Sequence, residues 1–191
     1  MTEDNRTSLN MTEVPNSDEL TIIIGGESLS NTLPGNPRIQ KSPDNRFYMS
    51  YEGNILFVPW KIDIDEAYCI GLAHECGHFY DPNGKTLDAA IRKPAPKFED
   101  VVRRYSAKLE LEYTAWRLGH PLAERLGVRD ESYLKMQITA LTAYFEDSIE
   151  TILLSKGGDK VPNLAIFNPF LGRLDTYTIE ELEYYYSQSK T

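Results

Sequence analysis

The sequence contains no long apolar run and no recognisable leader. None of its apolar stretches approaches the roughly 18 residues that a membrane-spanning helix requires. No basic segment leads into an apolar one near the start, so we expect no signal peptide. These two absences argue against a membrane protein and against a secreted one.

Cysteine is also scarce, with only Cys69 and Cys76 in 191 residues. If both lie on one helix, the seven-residue spacing places them about 10 Å apart. The Cα atoms of a disulfide lie about 4.4–6.8 Å apart, so this pair is too far apart to be bridged. Two unpaired thiols are typical of a reducing compartment, and we therefore predict a cytoplasmic protein.

Basic residues are outnumbered, with 20 Lys and Arg against 29 Asp and Glu and a net charge of −9. Nucleic-acid binding depends on clustered Lys and Arg, and the chain shows no helix-turn-helix pattern. The same negative charge repels anionic membranes. We therefore expect neither nucleic acid nor a membrane among its partners.

The length and the 41% hydrophobic content predict one globular domain, which we place over 21–191. Residues 1–20 are polar and acidic and are predicted to form a flexible arm. The run "LTIII", stopped by Gly25 and Gly26, predicts a buried strand. The segment "RFYMSYEGNILFVPW" predicts a hairpin that turns at Glu52-Gly53-Asn54. The proline-containing stretch 30–45 between them is predicted to be a loop.

Helical patterns dominate the rest of the sequence. The stripe at 131–155 includes Leu134, Ile138, Leu141 and Phe145 at helical spacing. The predicted segments are a helix over about 65–80 capped by Asp63 or Asp65, a connection over 81–97 with three prolines, a helix over about 98–119, a short helix after Pro121, a helix over about 131–155 ended by Gly157-Gly158, and a last helix near 179–188. The predicted fold class is α+β, with a small N-terminal β-sheet (the hairpin) packed on a helical core.

The stretch "GLAHECGHFY", residues 71–80, contains the strongest chemical signal. His74 and His78 are four residues apart, so on a helix both imidazoles project from one face towards one ion. Glu75 follows the first histidine, where a carboxylate can take a proton from metal-activated water. The chain has only three histidines, and H-E-x-x-H arises by chance in roughly one per cent of such chains or fewer. The pattern predicts a zinc-binding helix with a general base.

Catalytic zinc needs a third protein ligand, and three residues compete for that place. Glu112 lies on an apolar stripe, where a carboxylate is costly unless it is paired or bound to metal. Glu110 falls on a largely polar face, and His120 is the one remaining histidine. We predict Glu112 as the third ligand, with Glu110 and His120 as alternatives. The other explanation for Glu112 on this stripe is a buried carboxylate that is paired with an arginine. The stripe comprises Val101, Tyr105, Leu109, Glu112 and Trp116.

These motifs resemble the ImmA/IrrE-type metallopeptidases, a gluzincin-like family. The resemblance covers about residues 45–120, from "NILFVPW" through "IDIDEAYCIGLAHECGHFYD" to "LEYTAWRLG". It implies a zincin-like core, Zn²⁺ held by His74, His78 and Glu112, and Glu75 as the catalytic base. It also implies a narrow protein substrate, such as a repressor or regulator, and an association with phages or mobile elements.

Other residues near the motif have weaker assignments. Asp81 could orient a ligand histidine, although a turn carboxylate before Pro82 explains it equally well. Cys76 should point away from the ligand face and pack in the core. The basic connection 81–97 could form a lid over the cleft or a solvated loop. The donor that stabilises the oxyanion is left open among His120, Tyr105, Tyr113, Tyr144 and Arg117.

Two classes of function follow from the sequence. The first is a zinc-dependent endopeptidase (a hydrolase) that cleaves a specific protein substrate. The alternative is a catalytically silent zinc-binding module that docks a protein through its acidic arm and the tyrosines at 184–186. The presence of Glu75 favours the peptidase, because a scaffold has no need of a base beside the metal. The sequence does not give the oligomeric state.

Overall fold

The computed structural model describes residues 8–60 and 64–154. These residues form a mixed α+β structure in which short strands precede long helices. In chain order the elements are β1 (Leu9–Glu13), β2 (Leu20–Ile24), β3 (Glu27–Ser28), α1 (Leu29–Thr32), β4 (Arg38–Lys41), β5 (Tyr48–Ser50), β6 (Ile55–Val58), α2 (Glu66–Tyr80), α3 (Gly84–Arg92), α4 (Phe98–Arg125) and α5 (Asp130–Leu154).

The strands form two small sheets of three strands each within the described residues, where the sequence predicted one hairpin sheet. The first has the order β1-β2-β3 and is antiparallel. The second has the order β4-β6-β5, with β4 parallel and β5 antiparallel to β6. The predicted strand "LTIII" is β2, whose Leu20, Ile22 and Ile24 are buried, and the predicted hairpin is β5–β6. Both of these predictions are confirmed.

Three segments that were predicted to be irregular contain regular structure. Within the predicted arm, β1 pairs with β2 because Leu9 and Met11 alternate along it and pack against the core. The predicted loop 30–45 contains most of α1 and all of β4, and these two elements bury Leu29 and Ile39. The predicted connection 81–97 contains α3, because its prolines flank the helix instead of interrupting it. The first seven residues lie outside the described part of the chain.

Helix α4 is one helix, where the sequence predicted two. Pro121 lies inside it, although an interior proline removes a hydrogen bond and costs about 3 kcal/mol. The helix continues because Leu122 and Ala123, which directly follow the proline, are buried in the core. It ends at Arg125, and Gly127 just beyond it has a φ of 73° and donates its N–H to the carbonyl of Glu124.

The predicted helix over 65–80 is confirmed as α2, and side chains at its start hold it in place. The Asp65 carboxylate caps it by accepting the N–H of Tyr68 at 2.7 Å. Glu66 accepts two hydrogen bonds from the Arg129 guanidinium, at 3.1 and 3.0 Å. This pairing lowers the pKa of Glu66 to about 2. The contact ties the start of α2 to the start of α5, so the motif helix has a fixed place in the bundle.

Helices α2 and α4 cross at a contact between small residues. A Cβ atom on Gly77 of α2 would overlap the backbone carbonyl of Ala115, and one on Gly119 of α4 would overlap that of Ala73. Ala73 and Ala115 are fully buried. The close neighbour of Gly77 is therefore α4. The crossing fixes the axial position of α4 and therefore the position of Glu112 against α2.

We expect Gly77→Ala to destabilise the protein by about 3 kcal/mol or more, because the overlapping atom belongs to a backbone that cannot move aside. Gly71→Ala is the matched control on the same helix. Both changes gain about 1 kcal/mol of helix propensity, but a Cβ on Gly71 meets the Phe47 side chain at 2.7 Å, which can shift. Chemical denaturation of the metal-free proteins measures both effects. Equal stability of the two variants would contradict this packing.

Several remaining predictions have mixed outcomes. Helix α5 confirms the predicted helix over 131–155 and buries Leu141 and Phe145, but Leu134 and Ile138 of the predicted stripe are exposed. Both cysteines are free and buried, as expected. Among the described helices, none is both long and apolar enough to cross a bilayer. The helix near 179–188 and the Gly157-Gly158 stop lie outside the described residues.

Candidate metal centre

The two motif histidines lie on one buried face of α2, as their spacing requires. His74 is 7% exposed and His78 is 6% exposed. Their rings are 5.0 Å apart between centroids and inclined by 68°. Two imidazoles on adjacent turns with this inclination can direct one nitrogen each at a common point.

Glu112 of α4 completes the group. Its Oε2 lies 3.2 Å from Nε2 of His74 and 3.9 Å from Nε2 of His78. Glu110 is exposed on the other side of the helix, which is the arrangement that the apolar stripe predicted. The stripe has this orientation because Leu109 and Trp116 are buried on either side of Glu112.

The three side chains have the geometry and the unused bonding capacity of a metal site. One ligand atom from each lies within 4.8 Å of the other two. Donor atoms around tetrahedral zinc are about 3.3 Å apart, since the metal–ligand distances are about 2.0–2.1 Å. The Oε2 atom of Glu112 is buried and has no hydrogen-bond partner among the described residues. Two imidazoles and a carboxylate form a donor set that suits zinc and leaves a fourth position open.

The ionisation of these groups also favours a cation. Burial, with a smaller effect from His74, lowers the pKa of His78 to about 4, so this imidazole is neutral at pH 7. A neutral imidazole is the form that binds metal. Burial is the largest single influence on the pKa of Glu112 and raises it, but the contact with His74 and the electrostatic effects of the two imidazoles and Lys108 together lower the net pKa. Glu112 is therefore ionised.

Glu75 lies next to the ligand group without belonging to it. Its Oε1 is 3.8 Å from Nε2 of His74, and the side chain is 13% exposed. Burial raises the pKa of Glu75 to about 7, with His74 opposing the shift and Glu112 adding to it. A carboxylate that exchanges its proton near neutral pH matches what a general base requires.

Tyr51 also contacts the group, and the sequence analysis did not identify it. Its hydroxyl lies 3.5 Å from Nδ1 of His78 and donates a hydrogen bond to the His78 carbonyl at 3.3 Å. The hydroxyl fits there because Gly84 at the start of α3 has no side chain to exclude it. The two residues are 27 positions apart, so no local pattern indicates the contact.

Asp81 and His120 do not join the ligand group. The Asp81 carboxylate accepts the backbone N–H of Asn83 at 2.8 Å, which is the turn arrangement weighed as its alternative role. His120 lies with Nε2 3.3 Å from Asp130, and its ring is 5.0 Å from that of Tyr133. The role of His120 as an oxyanion donor stays a prediction. Its position beside Asp130 and Tyr133 does not favour that role.

Tyr144 is the oxyanion candidate whose electrostatics connect it to the site. Burial raises the pKa of Tyr144, and the charges of Glu112 and Glu75 raise it further. The hydroxyl therefore stays protonated and keeps a proton to donate. Arg117, another candidate, is exposed, and Cys76 is fully buried in the core, as packing predicted.

Comparison of the chain with protein families, with curated proteins and with solved structures gives no match. The resemblance to the ImmA/IrrE-type metallopeptidases therefore rests on the motif residues, and it stays a prediction.

Proposed function

We propose that this chain is a zinc-dependent metallopeptidase with a zincin-like core, which hydrolyses a specific protein substrate. The observation that carries the proposal is the meeting of His74, His78 and Glu112 from two helices, with their ligand atoms within 4.8 Å of one another. The position of Glu75 beside this group distinguishes a hydrolytic site from a purely structural one, because structural zinc sites have four protein ligands and no adjacent base.

In this proposal each residue has one task. His74, His78 and Glu112 hold the ion. Zinc, when bound, polarises the peptide carbonyl and lowers the pKa of a bound water. Glu75, whose Oε1 lies 3.8 Å from Nε2 of His74, takes a proton from the attacking water and passes it to the leaving amine. The resemblance to the ImmA/IrrE family supports a repressor or regulator as the substrate.

A peptide library screened by mass spectrometry tests the proposal. We expect new peptide termini with the zinc-loaded protein, their loss after chelation, and their return on adding zinc. Magnesium should not restore cleavage, because it prefers oxygen ligands in an octahedral arrangement. Cleavage that continues in the presence of a strong chelator would contradict the proposal.

The alternative, a silent zinc-binding interaction module, is favoured by one observation. Leu134, Met136 and Ile138 on α5 are 40–48% exposed, and exposed apolar side chains are typical of surfaces that contact other proteins. The module requires zinc binding without cleavage of any peptide. A partner retained equally by wild type and Glu75→Gln, together with an unchanged peptide library, would favour it over the peptidase.

A further inference from the structure

The two ligand histidines differ in what surrounds their second ring nitrogen. Histidines that bind metal usually donate their other N–H to a carboxylate, carbonyl or water, which fixes the ring orientation. Nδ1 of His78 faces the Tyr51 hydroxyl at 3.5 Å. Nδ1 of His74 is buried and has no hydrogen-bond partner among the described residues. No described side chain or backbone group therefore fixes the His74 ring through this nitrogen.

Trp116 is in the position to do this. Its indole is stacked on the His74 imidazole, with centroids 4.3 Å apart and planes inclined by 25°. It lies one turn after Glu112 on α4, so one helix face presents both the third ligand and the stacking ring. The indole lies against the flat side of His74, where it limits rotation of the ring about χ2.

Tyr133 also holds the indole in place. The two rings pack in an edge-to-face arrangement with centroids 5.3 Å apart, and the Tyr133 hydroxyl donates a hydrogen bond to the Trp116 carbonyl at 2.7 Å. Trp116 is 4% exposed and Tyr133 1% exposed. The close approach of Gly119 to Ala73 fixes the distance between the two helices. These contacts hold the Trp116 indole in a fixed position against the His74 imidazole.

The presence of tryptophan at this position has a cost. The indole Nε1 is buried without a hydrogen-bond partner among the described residues, and a buried donor without a partner is unfavourable. Phenylalanine would avoid that cost. Tryptophan, however, offers a wider aromatic face than phenylalanine for stacking on His74.

We propose that Trp116 is a positioning residue for the metal centre, which holds the His74 imidazole in its ligating orientation by ring stacking. This inference rests on one part of the proposed function, which is that the site binds zinc. The stacking itself is testable without metal.

The experiment compares Trp116→Phe, Trp116→Leu and Trp116→Ala with wild type. Trp60, the other tryptophan, is 39% exposed and is altered to alanine as the control. We expect Trp116→Ala and Trp116→Leu to weaken zinc binding by about 10–100-fold, the usual loss when an orienting partner is removed. Trp116→Phe should retain affinity within about threefold, and Trp60→Ala should change nothing. Competition with a chromophoric chelator measures the affinities.

Proton NMR of the metal-free proteins supplies the second readout. The ring protons of His74 should be shifted upfield in wild type by the stacked indole, and Trp116→Leu should abolish this shift. Leucine fills much of the space without an aromatic face. Equal zinc affinity in Trp116→Phe and Trp116→Leu would therefore overturn the proposal, as would an absent upfield shift in wild type.

The two readouts separate the possible failures. If wild type binds no zinc but shows the upfield shift, the proposed function is wrong. The stacking of Trp116 on His74 is then real but orients no metal ligand, so the inference is overturned as well. If wild type binds zinc and Trp116→Leu binds it equally tightly, only the inference fails.

Discussion

Replacing Glu112 with alanine should weaken zinc binding by more than 100-fold. The change removes one of three ligands, so the loss should exceed the 10–100-fold that an outer partner costs. Zinc at a thousandfold excess over its Kd stabilises a folded protein by about 4 kcal/mol. We therefore expect zinc to raise the unfolding temperature of wild type and to have almost no effect on Glu112→Ala.

The matched control is Glu110→Ala, two residues away on the same helix. Its carboxylate is exposed, whereas that of Glu112 is 3.2 Å from His74. The two variants carry the same change in charge and in helix composition. If Glu110→Ala lost zinc and Glu112→Ala retained it, α4 would have to be rotated from the position described.

Replacing Glu75 with glutamine should abolish cleavage while leaving zinc in place. The amide has nearly the same shape but cannot accept the proton, and a positioned base contributes about 10²–10⁴-fold to the rate. Zinc affinity should stay within about threefold of wild type, because Glu75 is not one of the three clustered ligands. Rates on a peptide identified in the library screen, with zinc content determined in parallel, test both parts.

The control for this change is Glu110→Gln, which alters the same functional group at an exposed place. It should cleave at the wild-type rate. Undiminished cleavage by zinc-loaded Glu75→Gln would rule out Glu75 as the base. Loss of zinc from the same variant would instead indicate that Glu75 contributes to holding the ion.

The ligand group could be predicted from the sequence because helix periodicity determines it. The four-residue step brings His74 and His78 to one face, and the stripe through Leu109 and Trp116 brings Glu112 to the buried side of α4. Both are local properties of single helices, and hydrophobic burial orients each helix. The structure brings the three side chains together as predicted, while zinc itself and catalysis stay predictions.

Contacts between distant segments could not be predicted in the same way. Tyr51 reaches His78 only because the β5–β6 turn packs against the end of α2 and Gly84 leaves room. The stacking of Trp116 on His74 depends on the helix crossing at Gly77. The continuity of α4 past Pro121 depends on tertiary burial of the next turn, which outweighs the local preference of proline.

X-ray absorption at the zinc edge tests the central claim most directly, on protein purified without an affinity tag that binds metal. The account predicts about one zinc per chain, four nitrogen or oxygen ligands at about 2.0–2.1 Å, and the outer-shell scattering of two imidazoles. It predicts no sulfur ligand, because Cys76 lies in the core and is not part of the ligand group. Sulfur at about 2.3 Å, or a zinc shell without imidazole, would contradict the account.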